Sequence, residues 1–383
     1  MYKLNVNVGK FAHSLALAGK CIDSKPTIPI MADVLISNDG NGFMVSSSNA
    51  EMRIDQPIDM SMVEGEFAPF CVNYGKLSTA VSTLSKDTDI TLVIDGNKMV
   101  VNHTTGKFAI PVENADEYPI TPKLVEDDEE NKVISFKCNA SMLIKNLNLA
   151  KNSVSTDNLR PQFCGVCFDI VESKLNIVST NGQTMFLVRD EAIEPFNGES
   201  ITKQIIVPAT ALNAIATVFA DSNDVNVTTD SRNIFITNNS GVKYCVRLTE
   251  GEFPNYNALF PELENRSVKV DKNILETILK RANIFTNAIT GMVIMTKTSG
   301  NLVISGEDLD LATSTKESLP ILNESGVEEG FRIGCNLGYL FSMLATIDDS
   351  EVVFNFDTPK RAFTIVEDDE TSNKTALVMP MSI

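Results

Sequence analysis

The chain has few of the residues from which active sites are commonly built. It contains two histidines, His13 and His103, and neither belongs to a recognisable Ser-His-Asp or metal-binding arrangement. The G-x-S-x-G, Walker and H-E-x-x-H motifs are missing. These absences argue against the main enzymatic alternative, a hydrolase of repeated β-rich fold that uses acidic clusters. We therefore predict no catalytic residues, no metal site and no cofactor.

Long apolar runs are also missing. No stretch reaches the ~18 apolar residues that a membrane span needs, and residues 1–4 lack the apolar core of a signal peptide. An extracellular binding module would need such a signal, and no membrane partner is expected. The seven cysteines, an odd number without regular spacing, are typical of free thiols in a reducing compartment. We expect a cytoplasmic protein.

Two of the cysteines, Cys164 and Cys167, form a C-x-x-C pair of the kind used in redox and zinc sites. The pair lies within residues 163–170, whose composition predicts a strand rather than a metal knuckle. Positions three apart on a strand point to opposite faces, and no second Cys or His pair accompanies them. We predict two small buried thiols.

The chain repeats a pattern roughly every 130 residues, which is the size of a whole domain. Polar turns follow strands at Ser48-Asn49-Ala50-Glu51, Thr180-Asn181-Gly182-Gln183 and Gly306-Glu307-Asp308-Leu309. A second signal follows each turn, at Tyr118-Pro119, Phe253-Pro254 and Met379-Pro380. The acidic run 126–130 and residues 260–265 are predicted to be exposed connectors. We predict three similar domains at 1–125, 132–258 and 266–383.

Apolar residues at 3–4 spacing predict two amphipathic helices in each repeat. The six segments are 9–21, 73–86, 139–153, 208–220, 271–285 and 336–347. Pro208 at the start of the fourth suits the N1 position of a helix. Most of the remainder predicts strands, among them 89–94, 98–103, 174–179, 224–228, 233–237, 300–305 and 351–356.

The charge of the chain is strongly negative but unevenly spread. A net charge of −18 by itself argues against nucleic acid, because binding to phosphates needs Lys and Arg. The predicted helices nevertheless carry mostly cations: Lys10, Lys20, Lys76, Lys86, Lys145, Lys151, Lys272, Lys280 and Arg281, against Asp271 and Glu276. The polar faces of helices often carry Lys for solubility alone. Combined with the threefold repetition, this distribution favours a basic surface facing a polyanion, which Lys contacts without reading its sequence.

The order and length of these repeats resemble the bacterial DNA polymerase III β subunits, the sliding clamps, over essentially the whole chain. The segments that carry the resemblance are Lys25-Pro26-Thr27-Ile28-Pro29-Ile30, Thr180-Asn181-Gly182 with Met185, Glu250-Gly251-Glu252-Phe253-Pro254-Asn255-Tyr256, Arg281-Ala282-Asn283-Ile284-Phe285 and Val378-Met379-Pro380-Met381-Ser382-Ile383. The resemblance implies an α+β fold of three clamp domains, each with two helices packed on β-sheets. It further implies a head-to-tail homodimeric ring around double-stranded DNA, without catalysis, that tethers the DNA polymerase III α subunit, the clamp loader and other proteins.

The resemblance also implies three sets of site residues. A pocket for a linear motif similar to Gln-Leu-x-Leu-Phe would be formed by Phe163, Thr180, Gly182, Met185, Pro254, Leu259, Asn336, Tyr339, Leu377, Met379, Pro380 and Met381. Residues facing DNA would be Lys10, Lys20, Lys25, Lys76, Lys86, Lys145, Lys151, Arg160, Lys280 and Arg281. Of the matches to the family's basic positions, Arg160 and Gln162 are weaker than Lys25. The dimer interface would join Phe108 and Ile110 to Ile284 and Phe285.

The chain departs from the family pattern at the rim of the implied pocket. Gln183-Thr184 stand where His-Arg is common, Asn181 replaces an acid, and Asn257-Ala258 replace two basic residues. The rim is therefore predicted to lose positive charge while the apolar anchor is kept. This puts the preferred partner sequence in doubt.

Overall fold

A computed structural model describes residues 1–125, 132–260, 266–369 and 371–383. The predicted acidic connector 126–130 and residues 261–265 of the second connector lie outside these ranges. The chain divides into two compact units. Unit 1 comprises Met1–Ile144, Glu194–Gly198 and Ala211–Leu248, and unit 2 comprises Lys145–Ile193, Glu199–Thr210 and Thr249–Ile383. The three predicted domain boundaries stay a prediction.

The described residues contain six α-helices, at the six places that periodicity predicts. They are α1 Val8–Ala18, α2 Tyr74–Ser82, α3 Ala140–Ala150, α4 Ala209–Val218, α5 Lys272–Phe285 and α6 Leu337–Leu344. The buried stripes follow the predicted spacing, as with Phe11, Leu15 and Ala18 in α1. None of the described helices is long and apolar enough to cross a membrane.

A strand leads directly into each helix, and a side chain closes the corner in five of the six cases. The side-chain oxygens of Asn7, Asn73, Asn139, Asp271 and Asn336 each accept a hydrogen bond from a backbone N–H three residues later, at 2.8–3.2 Å. These bonds satisfy one of the free N–H groups of the first helical turn. The prediction that Pro208 occupies N1 is wrong. Pro208 is the last residue of a strand, paired with Gly165, and α4 begins at Ala209.

The strands in the described residues, numbered in chain order, are as follows: β1 Tyr2–Asn7, β2 Asp33–Asn38, β3 Phe43–Ser48, β4 Met52–Ile58, β5 Met60–Glu64, β6 Phe70–Asn73, β7 Asp89–Asp95, β8 Lys98–His103, β9 Gly106–Asn114, β10 Ile134–Asn139, β11 Gly165–Val171, β12 Lys174–Thr180, β13 Thr184–Ala192, β14 Glu194–Pro195, β15 Lys203–Pro208, β16 Asp224–Thr229, β17 Asn233–Thr237, β18 Lys243–Arg247, β19 Ser267–Asp271, β20 Met292–Thr298, β21 Asn301–Asp308, β22 Thr313–Pro320, β23 Asn323–Ser325, β24 Arg332–Asn336, β25 Glu351–Asn355, β26 Phe363–Val366 and β27 Lys374–Val378.

Unit 1 holds one antiparallel sheet in the order β14-β10-β16-β17-β18-β4-β3-β2-β6-β9-β8-β7-β1-β5. β4 joins β18 in this sheet, with Arg53 opposite Cys245 and Ile54 opposite Tyr244. An apolar core lies between the sheet and the first two helices, with Phe11, Leu77 and Val81 fully buried. The alternation of buried and exposed residues along β7 and β8 orients their apolar side chains toward this core.

Unit 2 holds two antiparallel sheets. Their orders are β15-β11-β12-β13-β27-β26-β25-β19-β23 and β22-β21-β20-β24. β13 joins β27 in the larger sheet, with Met185 opposite Leu377. A second core gathers buried residues of α5, α6 and both sheets, including Leu279, Leu340 and Phe354.

The C-x-x-C pair differs from its prediction. A 3₁₀ turn at Pro161–Phe163 precedes Cys164, and β11 begins only at Gly165, so Cys164 is not on the strand. Cys167 is buried as predicted, but Cys164 is partly exposed. In the described part of the chain no group of His, Cys, Asp and Glu side chains has the arrangement of a metal site.

Candidate functional site

The turn between β12 and β13 is held by its own side chains. The Asn181 Oδ1 accepts hydrogen bonds from the backbone N–H groups of Gln183 at 2.9 Å and Thr184 at 2.8 Å. The Thr180 hydroxyl donates to the Thr184 carbonyl at 2.7 Å and accepts from the Gly182 N–H at 3.1 Å. Gly182 has a φ of +87°, a conformation that favours glycine. These bonds hold the turn in one conformation, so it forms a rigid edge of the candidate site.

An apolar floor lies directly after this turn. Met185 and Leu377 face each other across β13 and β27 and are only 1% and 2% exposed. They pack in one cluster with Leu187, Phe253 and Tyr256, and with Cys167, Val178, Ile206 and Ala362. The sheet therefore has an apolar face at the point where β13 of the second repeat pairs with β27 of the third.

One wall of the site is aromatic and carries a paired cation. The Phe163 and Phe253 rings lie edge to face with centroids 6.4 Å apart. The Arg160 guanidinium lies 5.3 Å from the Phe163 ring centroid and pairs with Asp157 at 3.2 Å. A Cβ atom added to Gly182 would lie 3.5 Å from Arg160 Nη1. Arg160, predicted to face DNA, therefore lies beside Phe163 and Gly182.

A rim is formed by the 3₁₀ turn at Tyr256–Leu259, whose Tyr256 ring centroid lies 6.5 Å from that of Phe253. Leu259 is 48% exposed and Pro254 is half-buried. The Tyr256 hydroxyl donates to Asp169 Oδ2 at 2.6 Å. Burial and this bond raise the pKa of Tyr256 above its ordinary value, so the phenol stays protonated. The turn is thus held in place by Tyr256 and has an exposed side chain at Leu259.

The C-terminal segment passes from one sheet of unit 2 to the other. The Met379 N–H donates to the Gln183 carbonyl at 2.8 Å, and the Met381 N–H donates to the Gly334 carbonyl at 2.8 Å. Met379 is 37% exposed, and Pro380 and Met381 are half-buried. Asn336 caps α6 through its bond to Tyr339, which packs half-buried against the core of unit 2.

The predicted loss of rim charge needs one correction and one addition. Thr184 is 1% exposed, and its buried hydroxyl has no hydrogen-bond partner within the described ranges, so Thr184 is not a rim residue. Sequence reasoning also missed Arg189. Its guanidinium lies 6.0 Å from the Tyr256 ring centroid, 5.4 Å from that of Phe260, and donates to Asn257 Oδ1 at 3.0 Å. The even spacing of Met185, Leu187 and Arg189 was the available signal, because alternate strand residues share a face.

The helical segments are as cationic as predicted, although their ends differ. Lys20 and Lys151 lie in 3₁₀ turns that follow α1 and α3, and Lys86 lies beyond the end of α2. Glu276 is the one carboxylate within the six described helices and these two turns. Their cations are Lys10, Lys20, Lys76, Lys145, Lys151, Lys272, Lys280 and Arg281.

Several of the predicted DNA-facing side chains already have acidic partners. Lys10 pairs with Asp59, Lys145 with Asp348, Lys280 with Glu276 and Arg281 with Glu317. Burial lowers the pKa of Lys151 from its ordinary value. Lys20, Lys25, Lys76 and Lys86 are exposed and form no ion pair with any described residue. These four are the most available cations of the set.

The four predicted interface residues have different surroundings. Ile284 is 72% and Phe285 37% exposed at the end of α5. Phe108 is half-buried, whereas Ile110 is 5% exposed and packs in the core of unit 1. The strands beside them have open edges among the described residues, since residues 106–111 of β9 pair only with β8 and β22 pairs only with β21.

Comparison with known proteins identifies relatives along the whole chain. Three family models match in order: the N-terminal domain of the DNA polymerase III beta subunit over residues 2–122, the central domain over 137–255 and the C-terminal domain over 257–382. A beta sliding clamp of Lactococcus lactis is 25% identical over 100% of this chain and 99% of its own length. One from Rickettsia bellii is 26% identical, with both chains fully covered.

Solved structures with the same fold include the beta subunit of Streptococcus pyogenes DNA polymerase, with a TM-score of 0.89 and 20% identity. A putative DNA polymerase III beta subunit from Eubacterium rectale has a TM-score of 0.88 and 21% identity. A Pseudomonas aeruginosa sliding clamp bound to griselimycin has a TM-score of 0.88 and 18% identity. Each of the three covers 100% of this chain and of its own length.

Proposed function

This chain belongs to the DNA polymerase III beta-subunit family, the sliding clamps of DNA replication, and from that premise we propose how it works. It is a non-catalytic processivity factor that encircles duplex DNA, slides without sequence preference and tethers replication and repair proteins. The observation that carries the proposal is that the apolar floor of Met185 and Leu377 follows a fixed turn and adjoins two exposed apolar side chains. Met379 bonds the turn through its N–H, and Leu259 ends the 3₁₀ turn whose Tyr256 packs in the floor cluster. Exposed apolar side chains over a buried apolar floor are what a partner peptide needs as an anchor.

The partner peptide occupies this floor through apolar residues of a Gln-Leu-x-Leu-Phe-type motif. Met185, Met379 and Met381 have flexible thioether side chains, which adapt to peptides of different shape. The Pseudomonas aeruginosa clamp in the comparison binds griselimycin, and we expect this chain to have a ligand-binding surface of its own at the floor. One surface would then serve the polymerase α subunit, the clamp loader and further partners in turn.

The experiment that tests this site is fluorescence anisotropy of a labelled Gln-Leu-x-Leu-Phe-type peptide. The wild type should bind saturably, and the Met379→Ala/Met381→Ala variant should lose about tenfold or more in affinity, as truncation of anchor contacts typically does. Met62→Ala is a matched control, because Met62 and Met379 are each 37% exposed. Wild-type and double-variant affinities that agree within error would contradict the site.

The ring forms as a head-to-tail homodimer between the open edge of β9 in one chain and that of β22 in the other. Unpaired strand edges are templates for pairing, and a heterologous contact closes into a ring when its rotation permits. The exposed Ile284 and Phe285 supply apolar area beside the β22 edge. Phe285→Asp should therefore yield monomers in light scattering, while Phe196→Asp, at another exposed phenylalanine, should not. A dimeric mass for Phe285→Asp would remove this side chain from the interface.

DNA passes the cationic helical segments, where lysines make weak, exchangeable contacts to phosphates. The best test uses Lys20, Lys76 and Lys86, because their replacement breaks no ion pair among the described residues. The triple Glu variant should bind a labelled linear duplex more weakly and with a flatter dependence on salt than the wild type. An unchanged slope would mean that these residues do not face the DNA.

A further inference from the structure

Arg189 differs from the other arginine of the candidate site in having no acidic partner among the described residues. Arg160 is paired with Asp157. The one hydrogen bond of the Arg189 side chain goes to the neutral amide of Asn257, and no described carboxylate lies within ion-pair distance of it. A guanidinium has five N–H donors, so most of those of Arg189 remain available.

The surroundings hold the Arg189 side chain in one place. Its guanidinium lies against the rings of Tyr256 and Phe260, at 6.0 Å and 5.4 Å from their centroids. Tyr256 is itself anchored by its bond to Asp169. The backbone of Arg189 is fixed on both sides, since its N–H donates to the Asn373 carbonyl at 3.0 Å and its carbonyl accepts from Asn373 Nδ2 at 2.7 Å. The cation is therefore pre-organised, which reduces the entropy lost when it binds a ligand.

Arg189 also continues the apolar floor. Met185, Leu187 and Arg189 are alternate residues of β13 and share one face, and Met185 and Leu187 belong to the floor cluster together with Tyr256. Phe260 packs against that same cluster. If the apolar residues of a bound peptide lie on this floor, a peptide residue next to them in sequence can contact Arg189.

We propose that Arg189 determines partner specificity by pairing with a carboxylate that flanks the apolar anchors of the bound peptide. Basic residues of the family pattern are replaced at positions 183 and 257–258, and Arg189 of β13 supplies one cation that bonds to Asn257 in the 3₁₀ turn. Planar guanidinium and carboxylate groups pair in a bidentate geometry that Lys does not reproduce. The preferred partners are therefore linear motifs with Asp or Glu next to the hydrophobic residues. The inference rests on the proposed peptide site.

The test measures three labelled peptides by anisotropy at low salt: Gln-Leu-Ser-Leu-Phe with Gln on both flanks, and the same peptide with Glu on the N-terminal or the C-terminal flank. The wild type should bind one of the acidic peptides about five- to tenfold more tightly than the neutral one, the range of a partly desolvated charge-assisted pair. The preference is measured as the ratio of acidic to neutral peptide affinity within each variant. Arg189→Gln should lose this preference, and Arg189→Lys should keep only part of it. Arg232→Gln removes one exposed cation elsewhere and should preserve the preference.

The outcomes separate this inference from the function on which it rests. If the wild type binds the neutral peptide but prefers neither acidic one, or if Arg189→Gln retains the preference, Arg189 does not select carboxylates and the peptide site stands. If none of the three peptides binds, both the site and the inference are overturned.

Discussion

Two strand pairings join successive repeats, and their differences are chemical rather than geometric. The first junction is the pairing of β4 with β18 in unit 1, and the second is the pairing of β13 with β27 in unit 2. The turn before β4 is held by Asn49, whose Oδ1 accepts from Glu51 and Met52, just as Asn181 holds the turn before β13. The Ser47 and Ser179 hydroxyls also make matching bonds, to the carbonyls of Ala18 and Ala150.

The two junctions differ in the side chains at corresponding positions. Arg53, the second residue of β4, is 5% exposed and pairs with Asp55 at 2.8 Å. It also donates to the Pro119 carbonyl and lies 5.9 Å from the Tyr118 ring centroid. The second residue of β13 is Met185, in an apolar cluster. The two junctions thus share one backbone arrangement. The first contains a buried ion pair, whereas the second has an apolar cluster at the same position.

The largest effect is expected from Arg53→Met, which gives the first junction the residue of the second. The variant leaves Asp55 and the Pro119 carbonyl without their partner. Loss of one member of a buried ion pair costs about 3–5 kcal/mol of unfolding free energy. Urea unfolding followed by circular dichroism measures this loss.

The control for this prediction is Arg53→Met/Asp55→Leu, which copies the Met185 and Leu187 pattern. Removing both charges takes away the uncompensated carboxylate, so the double variant should be more stable than Arg53→Met alone. A double variant that is less stable than the single one would show that the first junction cannot accept the apolar pattern.

A smaller effect is expected from the buried tyrosine of each junction. The Tyr256 hydroxyl bonds a carboxylate at 2.6 Å, whereas the Tyr118 hydroxyl bonds the Asp33 and Ser46 carbonyls at 3.2 Å and 3.4 Å. Tyr256→Phe should cost about 2 kcal/mol and Tyr118→Phe about 1 kcal/mol, because hydrogen bonds to charged groups are stronger. Equal costs in urea unfolding would remove the distinction.

The smallest effect concerns the polar contacts of the second junction. Hydrogen bonds from Lys145 and Lys374 lower the pKa of Asp348 from 3.8 to about 2. A carboxyl whose pKa is lower in the folded state stabilises the fold above its unfolded pKa, and this stability is lost as the pH falls from about 4 to about 2. Because Asp348 is half-exposed, we expect less than about 1 kcal/mol. Asp348→Asn should show a shallower loss of stability over that range, and a slope equal to that of the wild type would contradict the assignment.

Periodicity was enough to locate the helices, and local chemistry explains where it failed. Helix ends depend on caps and strand ladders, which is why α2 ends before Lys86 and Pro208 belongs to β15. Cys164 lies outside the strand because the 3₁₀ turn Pro161–Phe163 comes directly before it. The apolar floor followed from the resemblance, but Arg189 did not, since its contact to Asn257 spans 68 positions of sequence. A contact of this kind is created by the fold, because the even spacing of Met185, Leu187 and Arg189 indicates a shared strand face but not the partner.

The capping side chains at the strand-to-helix corners have an electrostatic consequence. An aligned helix carries a partial positive charge at its N-terminus, and a capping carboxylate would offset it. Four of the five caps are asparagines, which satisfy the same backbone N–H groups without adding a negative charge. The helix dipoles of α1, α2 and α3 therefore add to the potential of Lys10, Lys76 and Lys145 instead of cancelling it. Although the chain has a net charge of −18, asparagine caps in place of aspartate keep the local electrostatic potential at these helix N-termini positive.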